Sequence, residues 1–450
     1  MKHLQKLTAA LLSGSILLTA MPVSAAWAAG VDEETGTMTA TVTLSDSGIT
    51  VDGENVTVDG STVTVTASGD YQFSGSLSDG QICVNIPDIT EETGDPGTVK
   101  LYLDGVSMTG KTEAPLYVVN AEKTIIELAA DSQNYFYDGE TYTATTAAIH
   151  AKDDLTIRGE GYLKVTAAYQ DGIQCGNDLK INGGEIKVKT ELGDGIRGKT
   201  SVEIKDGTID VNAAGDGIKS TKGDLIISGG TADIKAGNDA LQGETSLLIS
   251  GGTIKANGDR GLRLEGNTIS ITGGTILATA TDYQVTTGAS LEAIQPVLLF
   301  DLTAEQVKDQ DIVLERVLAE LANEPVFSMT PDKKFDYILI SSPQLAVGDT
   351  YALTVGGNSV SVNGNTEFKT SDVITAFTEA VVNSPADAIS ADINLDGTES
   401  LEDAVLLAHI LAEDPEQSAN ITAEMYQSAD VNKDGCLDMK DLNLVLQHLG

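Results

Sequence analysis

A repeat of about 22 residues constrains this chain more than any other feature. Gly-Gly or Asp-Gly pairs recur at Gly183-Gly184, Asp206-Gly207, Gly229-Gly230, Gly251-Gly252 and Gly273-Gly274, at spacings of 23, 23, 22 and 22 residues. A second marker keeps step with them: Asp171-Gly172-Ile173, Asp194-Gly195-Ile196, Asp216-Gly217-Ile218, Asp239-Ala240-Leu241 and Arg260-Gly261-Leu262. Short β-branched runs such as Leu225-Ile226-Ile227 and Thr253-Ile254-Lys255-Ala256 lie between the markers. Self-similarity at a fixed period means that each repeat buries its apolar face against the next. Runs this short and glycine-punctuated do not form helices, which excludes leucine-rich and ankyrin-type arrays. The pattern predicts an all-β right-handed parallel β-helix solenoid with repeats about 4.8 Å apart, over roughly residues 42–280.

Stacking turns each repeat position into a column. One column reads Asp171, Asp194, Asp216, Asp239, Arg260, and its neighbour His150, Gln174, Arg197, Lys219, Gln242, Arg263. Adjacent carboxylates ~5 Å apart repel by about 3 kcal/mol at an effective dielectric near 20, so something must offset them. Two readings stay open: each Asp bonds the turn amides that follow it, or calcium sits between repeats. The flanking Gln174, Arg197, Lys219, Gln242 and Arg263 are then candidates for contact with a sugar chain.

Near the C-terminus two twelve-residue segments share a metal-loop spacing. The first carries Asp392, Asn394, Asp396, Gly397, Thr398, Ser400 and Asp403; the second, 38 positions later, carries Asp430, Asn432, Asp434, Gly435, Cys436, Asp438 and Asp441. Positions 1, 3 and 5 are hard oxygen donors, position 6 is glycine for the sharp turn, and position 12 closes the shell. Both loops end in Asp where an EF-hand has Glu, and each feeds an apolar helical run. This tandem resembles the type I dockerin of cellulosomal proteins over about residues 388–450. The resemblance implies a small all-α calcium-binding module, Ca2+ as cofactor and a cohesin module of a scaffoldin as partner. It also implies that loop positions 10 and 11 meet the cohesin: Leu401-Glu402 and Met439-Lys440.

Lys2, His3 and Lys6 precede an apolar stretch and small residues around Ala26-Trp27-Ala28, the pattern of a secretory signal peptide over residues 1–28. Without it the balance is 25 basic against 67 acidic residues, or −42. Such a chain is not drawn to nucleic acid or to anionic membranes, and no later segment has a spanning length of apolar residues. An extracellular protein is expected. Cys83, Cys175 and Cys436 make no disulfide framework. The only tryptophan, Trp27, falls in the leader, which disfavours a flat aromatic platform and leaves Tyr135, Tyr137, Tyr142, Tyr162 and Tyr169 as coil-edge packing.

The wording of the repeats is familiar. Asp104-Gly105-Val106, the run from Ala148 to Ile157, the Asp-Gly-Ile series and Ile340-Ser341-Ser342-Pro343 resemble a family of secreted carbohydrate-binding β-helix proteins, similar in fold to pectate lyases. The resemblance covers roughly residues 37–360. It implies calcium-associated binding of plant cell-wall polysaccharide, with acidic pectic chains and cellulose as candidate ligands, and it carries no transferable catalytic residue. The acidic, tryptophan-free surface favours calcium-bridged uronates over cellulose. A calcium-dependent lyase is the alternative, since Arg197, Lys219 or Arg263 could serve as its base. The expected organisation is signal peptide 1–28, β-helix 31–285, β-rich cap 286–370, linker 371–387 and dockerin 388–450. In the cap, residues 296–300, 337–341 and 351–355 read as strands. Leu314, Val317, Leu318 and Leu321 keep a helical spacing that leaves their stretch ambiguous.

Overall fold

The computed structural model describes residues 37–87, 97–139, 145–264, 268–282, 290–318, 322–370, 378–382, 392–412, 422, 425, 428–431, 437 and 439–449. Successive repeats pair in parallel with the register that the markers set. Ile173 lies beside Ile196, Ile196 beside Ile218, Ile218 beside Leu241 and Leu241 beside Leu262. All five are buried. Each repeat contributes one short strand to a 10-stranded sheet and further strands to a 25-stranded sheet. The long strands Asp178–Thr190 and Ser201–Ala213 fold across their glycine marker, so residues on either side pair with the next repeat separately.

The markers exist because of that bend. Gly184, Gly207, Gly230, Gly252 and Gly274 all have φ between +77° and +111°, a region that side chains other than glycine rarely occupy. Each bend also rests on the one before it: a Cβ on Gly230 would come within 2.7 Å of the Gly207 carbonyl oxygen. Inside the stack, columns such as Leu179, Val202, Leu225, Leu247, Ile269 and Ile181, Ile204, Ile227, Ile249, Ile271 fill one continuous core. Burial of each such side chain stabilises by about 1.5–3 kcal/mol.

After the last repeat the pairing changes sense. Strand Phe335–Ser341 lies antiparallel to both Thr275–Ala280 and Val297–Gln306. Leu277, which would face outward in an open stack, joins a second core with Leu298, Phe300, Phe335, Ile338 and Tyr351. The start of the ambiguous stretch resolves in favour of strand, since Ile312–Arg316 pairs antiparallel with Glu324–Met329 and Thr350–Val355; Val317 and Leu318 follow that strand, and Leu321 lies outside the described residues. Leu314 is fully buried there, so the helical spacing was coincidental.

The expected fold class, a β-helix solenoid carrying a separate all-α dockerin, is therefore corrected. The chain is nearly all β, with parallel strands closed around one core and continued by a mixed sheet. An open edge exposes unpaired backbone groups, and the terminal segment answers this by extending the same sheet. Helix among the described residues of the C-terminal segment comes chiefly as two short pieces, α1 (Leu401–Leu411) and α2 (Met439–Leu449), of 11 residues each. Helices this short are marginal alone; these pack through Ile393, Ala404, Leu407, Ile410 and Val445. No long helical module is present among the described residues, and no helix there is long and apolar enough to cross a membrane.

Candidate functional site

On the 10-stranded sheet the two columns read from the sequence stand side by side. Gln174, Arg197, Lys219, Gln242 and Arg263 are in register one repeat apart. The aspartates next to them do two things with their two oxygens. In Asp171, Asp194 and Asp216 one oxygen reaches forward along the stack to cap an amide: the N–H of Asp194 donates to Asp171 Oδ1 (2.9 Å), that of Asp216 to Asp194 Oδ1 (2.9 Å), and that of Asp239 to Asp216 Oδ1 (3.1 Å). These amides belong to the next repeat, so the bond is made between repeats rather than within one turn.

The other oxygen meets a cation. Arg197 Nη1 lies 3.1 Å from Asp171 Oδ2, and Lys219 Nζ lies 2.5 Å from Asp216 Oδ2 and 3.6 Å from Asp194 Oδ2. Asp239, whose side chain is 1% exposed, holds Arg260 Nε at 2.6 Å and Arg263 Nη1 at 2.8 Å. Arg260, which breaks the aspartate series, thus closes it with the opposite charge. Four carboxylates face four cations, and the repulsion expected of the aspartates is offset within the protein.

Burial and then the Asp194 charge push the Asp171 carboxyl above its usual range, against the pull of the Asp194 amide and Arg197. Burial tends to deprotonate Lys219, but its bond to Asp216 and the nearby Asp194 outweigh that and raise it overall. At the upstream end His150 is pulled down to about 4 by burial, then by Lys152 and Arg197. Its Nδ1 accepts the Thr146 amide, and its ring meets Tyr117 edge-on at 5.3 Å. Gln174 accepts from the Thr146 hydroxyl. Gln242 is 3% exposed, and its Oε1 has no partner among the described residues.

Of the tyrosines expected at coil edges, Tyr135, Tyr137 and Tyr162 gather on the other sheet, Tyr169 lies in a bend, and Tyr142 lies outside the described residues. Tyr135 and Tyr137 lie with parallel rings 6.3 Å apart, Tyr162 sits 5.9 Å from Tyr135, and Lys187 lies 6.0 Å over the Tyr162 ring. Alternation along one strand brought the first two together, a signal available in the sequence as Tyr-Phe-Tyr.

The first C-terminal loop forms a tight turn with Leu395 at φ +60° and Gly397 at φ +88°. Asp392 accepts the amides of Asp396 and Gly397, and Asn394 Oδ1 also accepts from Asp396. The Thr398 hydroxyl and amide bond to Asp396 and hold its carboxyl below the usual range. Asp403 is fully buried and accepts the amides of Ile393, Asn394 and Ser400; Ser400 also caps α1. The donor set is made of hard oxygens and fits a calcium ion by its chemistry. Among the described residues, however, no three His, Cys, Asp or Glu groups converge as a metal cluster. In the second loop Asp441 is buried and Asp430 half-buried. Asn432, Asp434, Cys436 and Asp438 lie outside the described residues, as does the Lys440 side chain. Leu401 and Met439 are exposed, at 68% and 58%, with Glu402 exposed beside Leu401.

Residues 59–296 match the family model of a carbohydrate-binding domain-containing protein. A carbohydrate-binding domain-containing protein of Acetivibrio thermocellus is 43% identical over 131 residues, which is 28% of this chain and 43% of that protein. The chain thus spans under half the length of that curated relative. Among solved structures, the polysaccharide lyase-like protein from C. thermocellum (gadolinium derivative) aligns with a TM-score of 0.45 at 31% identity, covering 57% of this chain and 95% of the other.

Proposed function

The chain belongs to the family of carbohydrate-binding domain-containing proteins, and from that premise we propose that it binds plant cell-wall polysaccharide along the outer column of the 10-stranded sheet. One observation carries the reading. Gln174, Arg197, Lys219, Gln242 and Arg263 repeat one strand apart in register, and all but the buried Gln242 are partly exposed, so a polymer of repeating sugars meets cationic and amide groups at the same step. Acidic pectic chains suit this column best: Arg197 meets Asp171 through one nitrogen only among the contacts described, and a guanidinium has five N–H donors with which to meet a uronate as well. Cellulose is the second candidate, favoured by the tyrosine trio on the other sheet.

Binding without bond cleavage is the reading we adopt over a lyase. A general base must release its proton near working pH, whereas the Asp216 and Asp194 contacts hold Lys219 protonated. Calcium is proposed for the C-terminal loops, held by Asp392, Asn394, Asp396, Thr398, Ser400 and Asp403 and by their counterparts from Asp430 to Asp441. In the first loop its charge would balance Asp392, Asp396 and Asp403, which meet backbone amides but no cation among the described residues. Leu401 and Met439, with Glu402 and Lys440, are then the contact set for a cohesin of a scaffoldin. Export through residues 1–28 would place the protein outside the cell.

The test is affinity electrophoresis of the full chain through polygalacturonate, with and without calcium. Arg197→Gln combined with Lys219→Gln is expected to weaken retardation at least tenfold while the chain stays folded by circular dichroism. Unchanged retardation, or release of unsaturated products by the parent chain, would sink the reading.

A further inference from the structure

A cavity of about 230 Å3 lies where the 25-stranded sheet meets the turn between strands Glu324–Met329 and Phe335–Ser341. Its polar wall is Asp233, Lys235, Lys255 and Asn257 from the stack, with Thr330 and Asp332 from the turn. Parallel register sets the first four, with Asp233 beside Lys255 and Lys235 beside Asn257. The turn is fastened down: Lys333 Nζ donates to the Ala236 and Gly237 carbonyls at 2.5 and 2.9 Å and reaches Asp259 at 3.5 Å. Lys235 pairs with Asp332 at 3.7 Å across the gap. The space is therefore held open by anchored elements.

Its chemistry is selective. Two carboxylates and two ammonium groups leave the wall without net formal charge, which gives neither a metal cation nor an anionic sugar an advantage. Asn257 is 1% exposed; its amide nitrogen donates to Thr279 Oγ1, while its Oδ1 has no partner among the described residues. Asp332 Oδ1 is buried and unpartnered in the same sense. A buried acceptor left without a donor costs about 1–3 kcal/mol, so a suitable occupant brings hydrogen-bond donors. The volume falls below the roughly 300–1,000 Å3 of sites for drug-sized ligands, enough for one small ring. Burial, and beyond it the neighbouring Asp210 and Asp332, push the Asp233 carboxyl up despite Lys235 and Lys255.

We propose that this cavity receives a single neutral hexose ring, whose hydroxyls donate to Asn257 and Asp332 and accept from Lys255. The proposal rests on the carbohydrate reading but uses a different face from the Arg197 column, so the two can fail separately. The experiment measures binding of glucose, galactose and galacturonate to the full chain by saturation-transfer NMR, alongside polygalacturonate retardation. Thr330→Trp plugs the cavity from an exposed position, and Asp332→Asn removes one acceptor charge. Both variants are expected to weaken binding of a neutral hexose at least tenfold and to leave polygalacturonate retardation and thermal unfolding unchanged. Absent hexose binding, hexose binding indifferent to Thr330→Trp, or preference for galacturonate would each overturn the cavity assignment. Loss of polygalacturonate retardation in the parent chain would instead count against the column.

Discussion

The aspartate column and the first C-terminal loop use the same side chain to opposite ends. In the column, Asp171, Asp194, Asp216 and Asp239 each cap an amide or fork onto a cation, and Arg197, Lys219, Arg260 and Arg263 complete the balance. In the loop, Asp392, Asp396 and Asp403 also accept backbone amides. Among the described residues none of those three pairs with a cation. The column carries its counterions in its own sequence; the first loop, among the described residues, does not. That difference separates a stack of acids balanced from within from an acidic turn whose charge is left to the calcium proposed for it.

Three measurements would break or sharpen the contrast. The largest effect is expected for Asp239→Ala. Removing one member of a buried pair costs about 3–5 kcal/mol, and this substitution strands both Arg260 and Arg263; equilibrium denaturation that shows less than 1 kcal/mol would mean that the column is not held together by charge. Next comes calcium. An ion binding only the folded state stabilises by about 2.7 kcal/mol at 100 times its Kd. Helical circular dichroism of the full chain should therefore become calcium-dependent at α1 and α2, with Asp396→Asn shifting the titration and Asp239 variants leaving its midpoint alone. Equal calcium response of loop and column variants would erase the distinction.

The smallest effect concerns pH at the column's upstream end. The folded pKa of His150, about 4, lies below its ordinary 6.5, so the unfolded chain binds more protons between those values and stability falls as pH drops through that window. Above 6.5 the full stability is present. The loss should be on the order of 2 kcal/mol by pH 4 after allowance for partial exposure, and His150→Gln should flatten it in urea titrations. An acid limb unchanged by that substitution would place the sensitivity elsewhere, Asp336 being the opposing group: burial, then Asp301, Glu305 and Asp282, raise it to about 6, which favours folding as pH falls.

What could be read in advance was whatever repeats. The glycine bends were legible because positive φ demands glycine at Gly184, Gly207, Gly230, Gly252 and Gly274. The Ile and Leu columns were legible because parallel register copies them. The role of the aspartates was half legible: amide bonding was one of two readings, and the amide lies in the following repeat, 22 or 23 residues away, not in the same turn. The terminal sheet was not. Strand Phe335–Ser341 returns to Thr275–Ala280 across some sixty residues with no periodicity, and Leu314 kept a helical spacing by accident. The cavity at Asp332 depends on that same return, so no local pattern announces it.

The sealing strand has one further consequence. Because Phe335–Ser341 and the turn before it meet the stack only from Asp233 onward among the described contacts, every junction further upstream presents the same parallel register to its neighbours. Gain or loss of one 22-residue unit by gene duplication would change the reach along the sheet by about 4.8 Å and leave the seal untouched. If glycan lies along the column as proposed, the length that one molecule can span is a heritable quantity with a fixed step.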